Sequence, residues 1–247
     1  MMTALWRALI PALALLTTLP VPRQHDPDPD AISRAPLTYP LVGLLLGIVM
    51  FGASWVLFNW PPLAAAAIVL ALWTLLTGAL HLDGLADCAD GLLGGHGNPN
   101  RRRQIMHDPH VGSAAVVAVA LVLLGKFAGL AAVLDHGNLT PLLLAPVIGR
   151  GAVLALMCAV PCAKPGGMAQ AITAHLPRQA AWLVVAVVCV LALILAPAAL
   201  LIAAPLTWLI GRGALRRLGG ASGDVYGATI ELIETAVLLA MALPTGE

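Results

Sequence analysis

Long apolar runs alternate with short polar segments along almost the whole chain. Residues 39–58 form a first run, long enough for a helix to cross a hydrocarbon core of about 30 Å. The tight turn Asn59-Trp60-Pro61-Pro62 leads to a second run at 63–80, which continues directly into an acidic motif. Residues 91–112 are polar and Gly-rich, then basic. Runs at 113–134 and 139–160 follow, joined by Asp135-His136-Gly137-Asn138. After a polar loop at 161–178, the chain is apolar over 180–210, a stretch that contains Pro197 and Pro205. Residues 211–227 are polar and basic, and 228–243 form a last apolar helix interrupted by Glu231 and Glu234. The pattern predicts an all-α, polytopic integral membrane bundle of about six to seven membrane segments, forming a single domain over residues 1–247.

At the start, Arg7 and the apolar stretch 8–19 look like a short signal peptide. Pro20-Val21-Pro22 stands where a small-x-small cleavage site would be needed, so an interfacial or re-entrant helix is the better reading.

Composition agrees. The chain is 60% hydrophobic and only 10% charged, with a mean hydropathy of +0.92; a soluble domain carries about 25% charge. Its four cysteines, Cys88, Cys158, Cys162 and Cys189, form no CxxC pair and read as small core residues. The net charge of +1 says less than the placement of the charges. Arg7, Arg23, Arg34, Arg101, Arg102, Arg103, Lys164, Arg178, Arg212, Arg216 and Arg217 all lie outside the apolar runs, and the turns at 59–62 and 135–140 carry no basic residue. The positive-inside rule makes the basic side cytoplasmic. One crossing by 180–210 would put Arg212, Arg216 and Arg217 on the wrong side, so a hairpin broken near Pro197 is expected. Each half would be about 15 residues, roughly 22 Å, and therefore short, kinked or re-entrant.

The chemistry concentrates in His81-Leu82-Asp83-Gly84-Leu85-Ala86-Asp87-Cys88-Ala89-Asp90-Gly91. Spacings of four and three place Asp83, Asp87 and Asp90 on one helical face. Carboxylates so close repel one another and resist leaving water unless a cation or polar cavity receives them. If the second span's helix continues through them, they stand at its C-terminal end, where the helix dipole disfavours anions and a divalent cation such as magnesium reverses the penalty. Asp224, Glu231 and Glu234 form a second acidic set on the last helix. An acid at mid-membrane costs about 2.5–3.5 kcal/mol on insertion scales, so the two glutamates call for a partner: a second metal, Lys126 or Arg150, the two basic residues inside predicted spans. Arg101, Arg102 and Arg103 read as a cytoplasmic anchor or as forked donors for a diphosphate. Beside them His107, Asp108 and His110 are candidates for a general base.

HLDGLADCADG, followed by Arg103-Gln104-Ile105-Met106-His107-Asp108 and Gly112, resembles the cobalamin synthase family, the adenosylcobinamide-GDP ribazoletransferases. The likeness extends to Leu19-Pro20-Val21-Pro22, Tyr39-Pro40-Leu41-Val42-Gly43, Lys126, Arg150 and Gly219-Gly220-Ala221-Ser222-Gly223-Asp224-Val225-Tyr226-Gly227-Ala228 with Glu231 and Glu234. Three places depart from the family pattern. Thr18 stands where an arginine is usual, Asp108-Pro109-His110 replaces Asp-Ser-Arg, and a basic, aromatic loop is reduced to Ala163-Lys164-Pro165-Gly166-Gly167-Met168.

The resemblance implies a magnesium-dependent transferase of the cytoplasmic membrane. It would join adenosylcobinamide-GDP to α-ribazole, or its phosphate, and release GMP. In that reading Asp83, Asp87, Asp90 and Asp224 hold magnesium and Asp108 is the base. Arg101, Arg102, Arg103, Lys126, Arg150 and Lys164 are candidate phosphate contacts, with Glu231 and Glu234 supporting. The expected partners are the two substrates and the lipid bilayer, with a homo-oligomer left open and no nucleic acid. Rival readings are a CDP-alcohol phosphotransferase, which shares the Asp-Gly-x-x-Ala opening but wants a different tail, a transporter, and a non-catalytic scaffold of a corrinoid-making complex.

Overall fold

The computed structural model describes residues 2–22, 28–95, 97–163 and 167–243. Among them the regular structure is helical: α1 (Met2–Leu16), α2 (Pro29–Arg34), a 3-10 turn (Ala35–Thr38), α3 (Tyr39–Val56), α4 (Pro62–Thr77), α5 (Leu80–Gly94), α6 (Pro99–Ile105), α7 (Ser113–His136), α8 (Thr140–Ala159), α9 (Met168–Ala174), α10 (Arg178–Leu195), α11 (Pro197–Leu218) and α12 (Gly223–Met241). Prolines open α3, α4, α8 and α11, where a missing N–H costs nothing, and left-handed glycines end α4, α7 and α11.

Five helical stretches are long and apolar enough to cross a membrane: Pro29–Val56, α7, α8, α10 and α11. The pair α4 and α5 makes a sixth if counted together. The protein is thus a polytopic helical membrane protein. α12 carries three acidic residues and is largely buried, packed among α5, α7, α8 and α11. Close approach is bought with small residues: a Cβ at Gly125 or Gly129 of α7 would stand 2.8 Å from Thr235 or Leu238 of α12.

Two sequence expectations change. The second span does not continue into the acidic motif. Gly78 and Ala79 both take left-handed backbone conformations (φ 62° and 56°), and α5 leaves α4 at 86°. Thr18 holds this break: its N–H donates to the Leu76 carbonyl (2.7 Å) and its hydroxyl to that of Leu75 (2.9 Å), satisfying carbonyls at the end of α4. The departure at Thr18 therefore has a structural use. α5 lies across one end of the bundle, where α7 and α12 begin, and does not prolong the crossing.

The region 180–210 does break at Pro197, but its halves are not short. α10 and α11 have 18 and 22 residues, about 27 and 33 Å, because the helix runs on through Arg212 to Leu218. The Arg102 guanidinium donates to the Arg217 carbonyl (3.1 Å), so α6 and the end of α11 share one side, as the hairpin requires. By chain continuity the turns at 59–62 and 135–140 lie at the opposite end. α1, at 15 residues, is too short to cross as a straight helix and packs on α2, α3 and the 3-10 turn.

Candidate functional site

The two acidic motifs meet where α5 and α12 start. Asp83 lies in the first turn of α5, and Asp224 in the first turn of α12, whose N-terminus Ser222 caps by accepting from the Val225 N–H. The expectation of a C-terminal position is corrected: the break at Gly78-Ala79 places Asp83 at a helix start, where the dipole favours an anion. Gly84 makes the meeting possible. A Cβ there would fall 2.8 Å from the Asp224 carbonyl oxygen and 2.9 Å from its Cα. Gly84→Val should therefore force α5 from α12 and lower stability by about 1–3 kcal/mol, read as a fall in the melting temperature of the purified protein. An unchanged value would mean the helices are not in contact there.

Asp87 follows one turn later. Burial, then the carboxylates of Asp224 and Asp83, push its pKa up to about 6. Carboxylates placed to destabilise one another's charge are what a cation would relieve. Asp90 has a different task. Its two oxygens accept from the N–H groups of Gly112 (2.7 Å) and Ala115 (2.9 Å), so it caps the start of α7, and a Cβ at Gly112 would crowd it at 2.5 Å. These bonds give Asp90 a role in the fold beside the metal-ligand role expected of it.

Two cavities flank these carboxylates. One, of about 330 Å³, has largely aliphatic and aromatic walls from α1, α3, α5, α8, α9 and α12, with Asp83, His107 and Asp224 among its lining residues. The other, of about 310 Å³, is lined by Asp83, Asp87, Asp90, His107, Asp108 and His110 among others. Asp83 and His107 border both. A larger cavity of about 440 Å³, between α8, α10 and α11, has no carboxylate in its wall and stands apart from this chemistry.

Asp108 is poorly suited to act as a base. Its side chain is 53% exposed, accepts from the His110 N–H (3.0 Å) and meets His110 Nδ1 at 2.6 Å. Those bonds hold its pKa below the usual carboxylate value. The basic candidates also divide. Arg103 donates to the carbonyls of Leu218 and Ala163 (both 3.2 Å) and to Asn100 Oδ1 (2.6 Å). With Arg102 it clamps α6 to the end of α11, beside the bridge of Cys162 with Ala221, in which the Ala163 N–H donates to the Ala221 carbonyl and the Ala221 N–H to that of Pro161 (both 2.9 Å). These two arginines are tied to carbonyl oxygens, whereas Arg101 is exposed near Asp108. Lys164 lies outside the described residues.

Lys126 and Arg150 are buried (2% and 0% exposed). Lys126 Nζ sits between Glu231 Oε2 (2.7 Å) and Glu234 Oε2 (2.5 Å), 4.9 Å above the Trp73 ring, and Arg150 Nη1 pairs with Glu234 Oε1. This neutral quartet joins the middles of α7, α8 and α12. Its members pair with one another, as expected from the sequence for the two glutamates.

Among the described residues no three His, Cys, Asp or Glu side chains already form a metal cage. Magnesium does not demand one. It keeps several waters and is held by one or two carboxylates together with substrate phosphates. Asp83, Asp87 and Asp224, all oxygen donors in one electrostatic neighbourhood, fit that mode.

Residues 8–242 match the family described as Cobalamin-5-phosphate synthase. Proteins named adenosylcobinamide-GDP ribazoletransferase are similar over 96% of this chain and 98% of their own length. Those of Stutzerimonas stutzeri, Pseudomonas paraeruginosa and Pseudomonas aeruginosa are 47%, 49% and 48% identical to it. No solved structure matches the chain. With a match spanning nearly its whole length and relatives at almost half identity, this chain belongs to the cobalamin-5-phosphate synthase family.

Proposed function

We propose that the chain is a magnesium-dependent adenosylcobinamide-GDP ribazoletransferase of the cytoplasmic membrane, acting in the final assembly of cobalamin. The observation that carries this reading is the meeting of Asp83 and Asp87 from α5 with Asp224 from α12 between two cavities, in a chain whose relatives bear that name. A ribose hydroxyl of α-ribazole attacks the corrinoid-linked phosphorus, the bridging P–O bond breaks, and GMP leaves. Such a transfer mainly needs charge neutralisation and in-line placement. Bound magnesium supplies the neutralisation of the diphosphate. Asp83, Asp87 and Asp224 would hold it, Asp83 and Asp224 from helix starts, where the dipole favours an anion. Arg101, exposed beside the acidic cavity, is the remaining candidate of the arginine trio for a phosphate. His107 borders both cavities, which makes it a better acceptor of the hydroxyl proton than Asp108. The basic residues at this end of the bundle support a cytoplasmic site.

Purified protein in nanodiscs, given adenosylcobinamide-GDP and α-ribazole, should release GMP with magnesium, stop on chelation and resume when magnesium is returned. No GMP at saturating magnesium would reject the transferase reading in favour of a non-catalytic scaffold.

A further inference from the structure

We propose that the cavity of about 330 Å³ between α3, α5, α8 and α12 receives the benzimidazole base of the acceptor nucleoside, read by Tyr39, His81 and Tyr226. This assignment rests on the ribazoletransferase reading and adds to it which of two substrates goes where.

The first argument is unmet polarity. Tyr39, His81 and Tyr226 are 1%, 2% and 6% exposed, and Tyr39 Oη, His81 Nε2 and Tyr226 Oη find no hydrogen-bond partner among the described residues. A buried polar atom left alone costs stability, and native exceptions commonly mark a missing ligand or water. All three residues line one cavity, whose other walls include Val153, Met157 and Ile230.

The second argument is chemical fit. A benzimidazole riboside presents a flat apolar base with a single free ring nitrogen. That nitrogen takes one donor, a phenol O–H or an imidazole N–H, the ribose hydroxyls offer partners to the other two groups, and the rest of the base takes aliphatic contact. The volume suits a small ligand and is too small for a corrin ring with its amide arms.

The third argument is position. Asp83 and His107 border both this cavity and the acidic one. A base seated in the first leaves its ribose at their junction, facing the diphosphate across Asp83.

The test compares Tyr39→Phe, Tyr226→Phe and Gly223→Leu with the natural chain. Gly223 lines the cavity, and a Cβ there meets no atom within 4 Å, so a larger side chain takes up space at the cavity wall without a clash at its root. Each Tyr→Phe variant should keep or raise the melting temperature, because it deletes an unpaired hydroxyl. Each should also raise KM for α-ribazole about three- to tenfold, with KM for adenosylcobinamide-GDP unchanged. Gly223→Leu should raise the same acceptor KM at least about tenfold. Equilibrium dialysis of α-ribazole against the protein without magnesium should show binding, weakened in all three variants. Acceptor KM and binding at natural values in the variants would overturn the assignment, as would a rise confined to the guanine-bearing donor. In either case the natural chain still releases GMP. Failure of the natural chain to release GMP while it binds α-ribazole in dialysis would sink the transferase reading and leave the cavity assignment standing.

Discussion

Asp87→Asn is expected to cut GMP release by roughly 10²–10³-fold, the loss typical of one electrostatic group aimed at the reacting centre, without harming the fold. Asparagine keeps the shape and one carbonyl oxygen but removes the charge that would hold magnesium. Burial and the carboxylates of Asp224 and Asp83 raise this group's pKa from an ordinary 3.8 to about 6. A folded-state pKa above the unfolded one means that the ionised form weakens the fold, an effect complete above about pH 6 and absent below about pH 4. At pH 7.5 in chelator the variant should therefore melt at or above the natural temperature. Added magnesium should raise the natural protein's melting temperature by mass action and leave the variant's unmoved. A variant with full turnover at ordinary magnesium, or one that still gains stability from the ion, would remove Asp87 from the site.

Glu234→Leu should unfold the protein more readily than any change at the cavities. The Glu234 side chain is fully buried and serves both Lys126 and Arg150, so its loss leaves two cations facing Glu231 alone. Breaking a buried pair by removing one partner costs about 3–5 kcal/mol, because the desolvated charge that remains has nothing to oppose it. Removing opposite charges together should recover much of that. Glu234→Leu with Arg150→Met leaves Lys126 and Glu231 paired at 2.7 Å, and an ion pair replaced by apolar groups of similar volume is often neutral or stabilising. Melting in detergent with a monodispersity check separates the cases. A single variant as stable as the natural chain would show that the quartet does not hold α7, α8 and α12 together.

The quartet also shows how far the sequence could be read. Lys126 and Arg150 stand out inside apolar runs, as do Glu231 and Glu234, and intramembrane charges must find partners. That much follows from composition alone. Their use does not. The same cations were candidates for the glutamates and for phosphate contacts, and the ion pairs of Lys126 with both glutamates and of Arg150 with Glu234 show the first of these uses. Arg102 and Arg103 went the same way. A basic run beside a membrane reads in the sequence as an anchor or a phosphate grip, and only the structure shows that Arg102 and Arg103 also bond the carbonyls of Arg217, Leu218 and Ala163. His107 was one of three neighbouring candidates in the sequence. Its place on the border of both cavities distinguishes it from Asp108 and His110.

The sequence by itself determined that this is a helical membrane protein, that the 180–210 stretch breaks at Pro197, and that the Asp83 and Asp224 motifs are the candidates for its chemistry. Those conclusions rest on local quantities: run length against bilayer thickness, proline and glycine punctuation, and residue spacing on a helix. Only the tertiary structure decided that α5 turns away at Gly78-Ala79, that Asp90 caps α7, and that Gly84 lets Asp83 and Asp224 begin neighbouring helices. Each of these depends on atoms far apart in the chain — Thr18 on Leu75, Asp90 on Gly112, Gly84 on Asp224 — and a contact across so many residues leaves no period in the sequence to read.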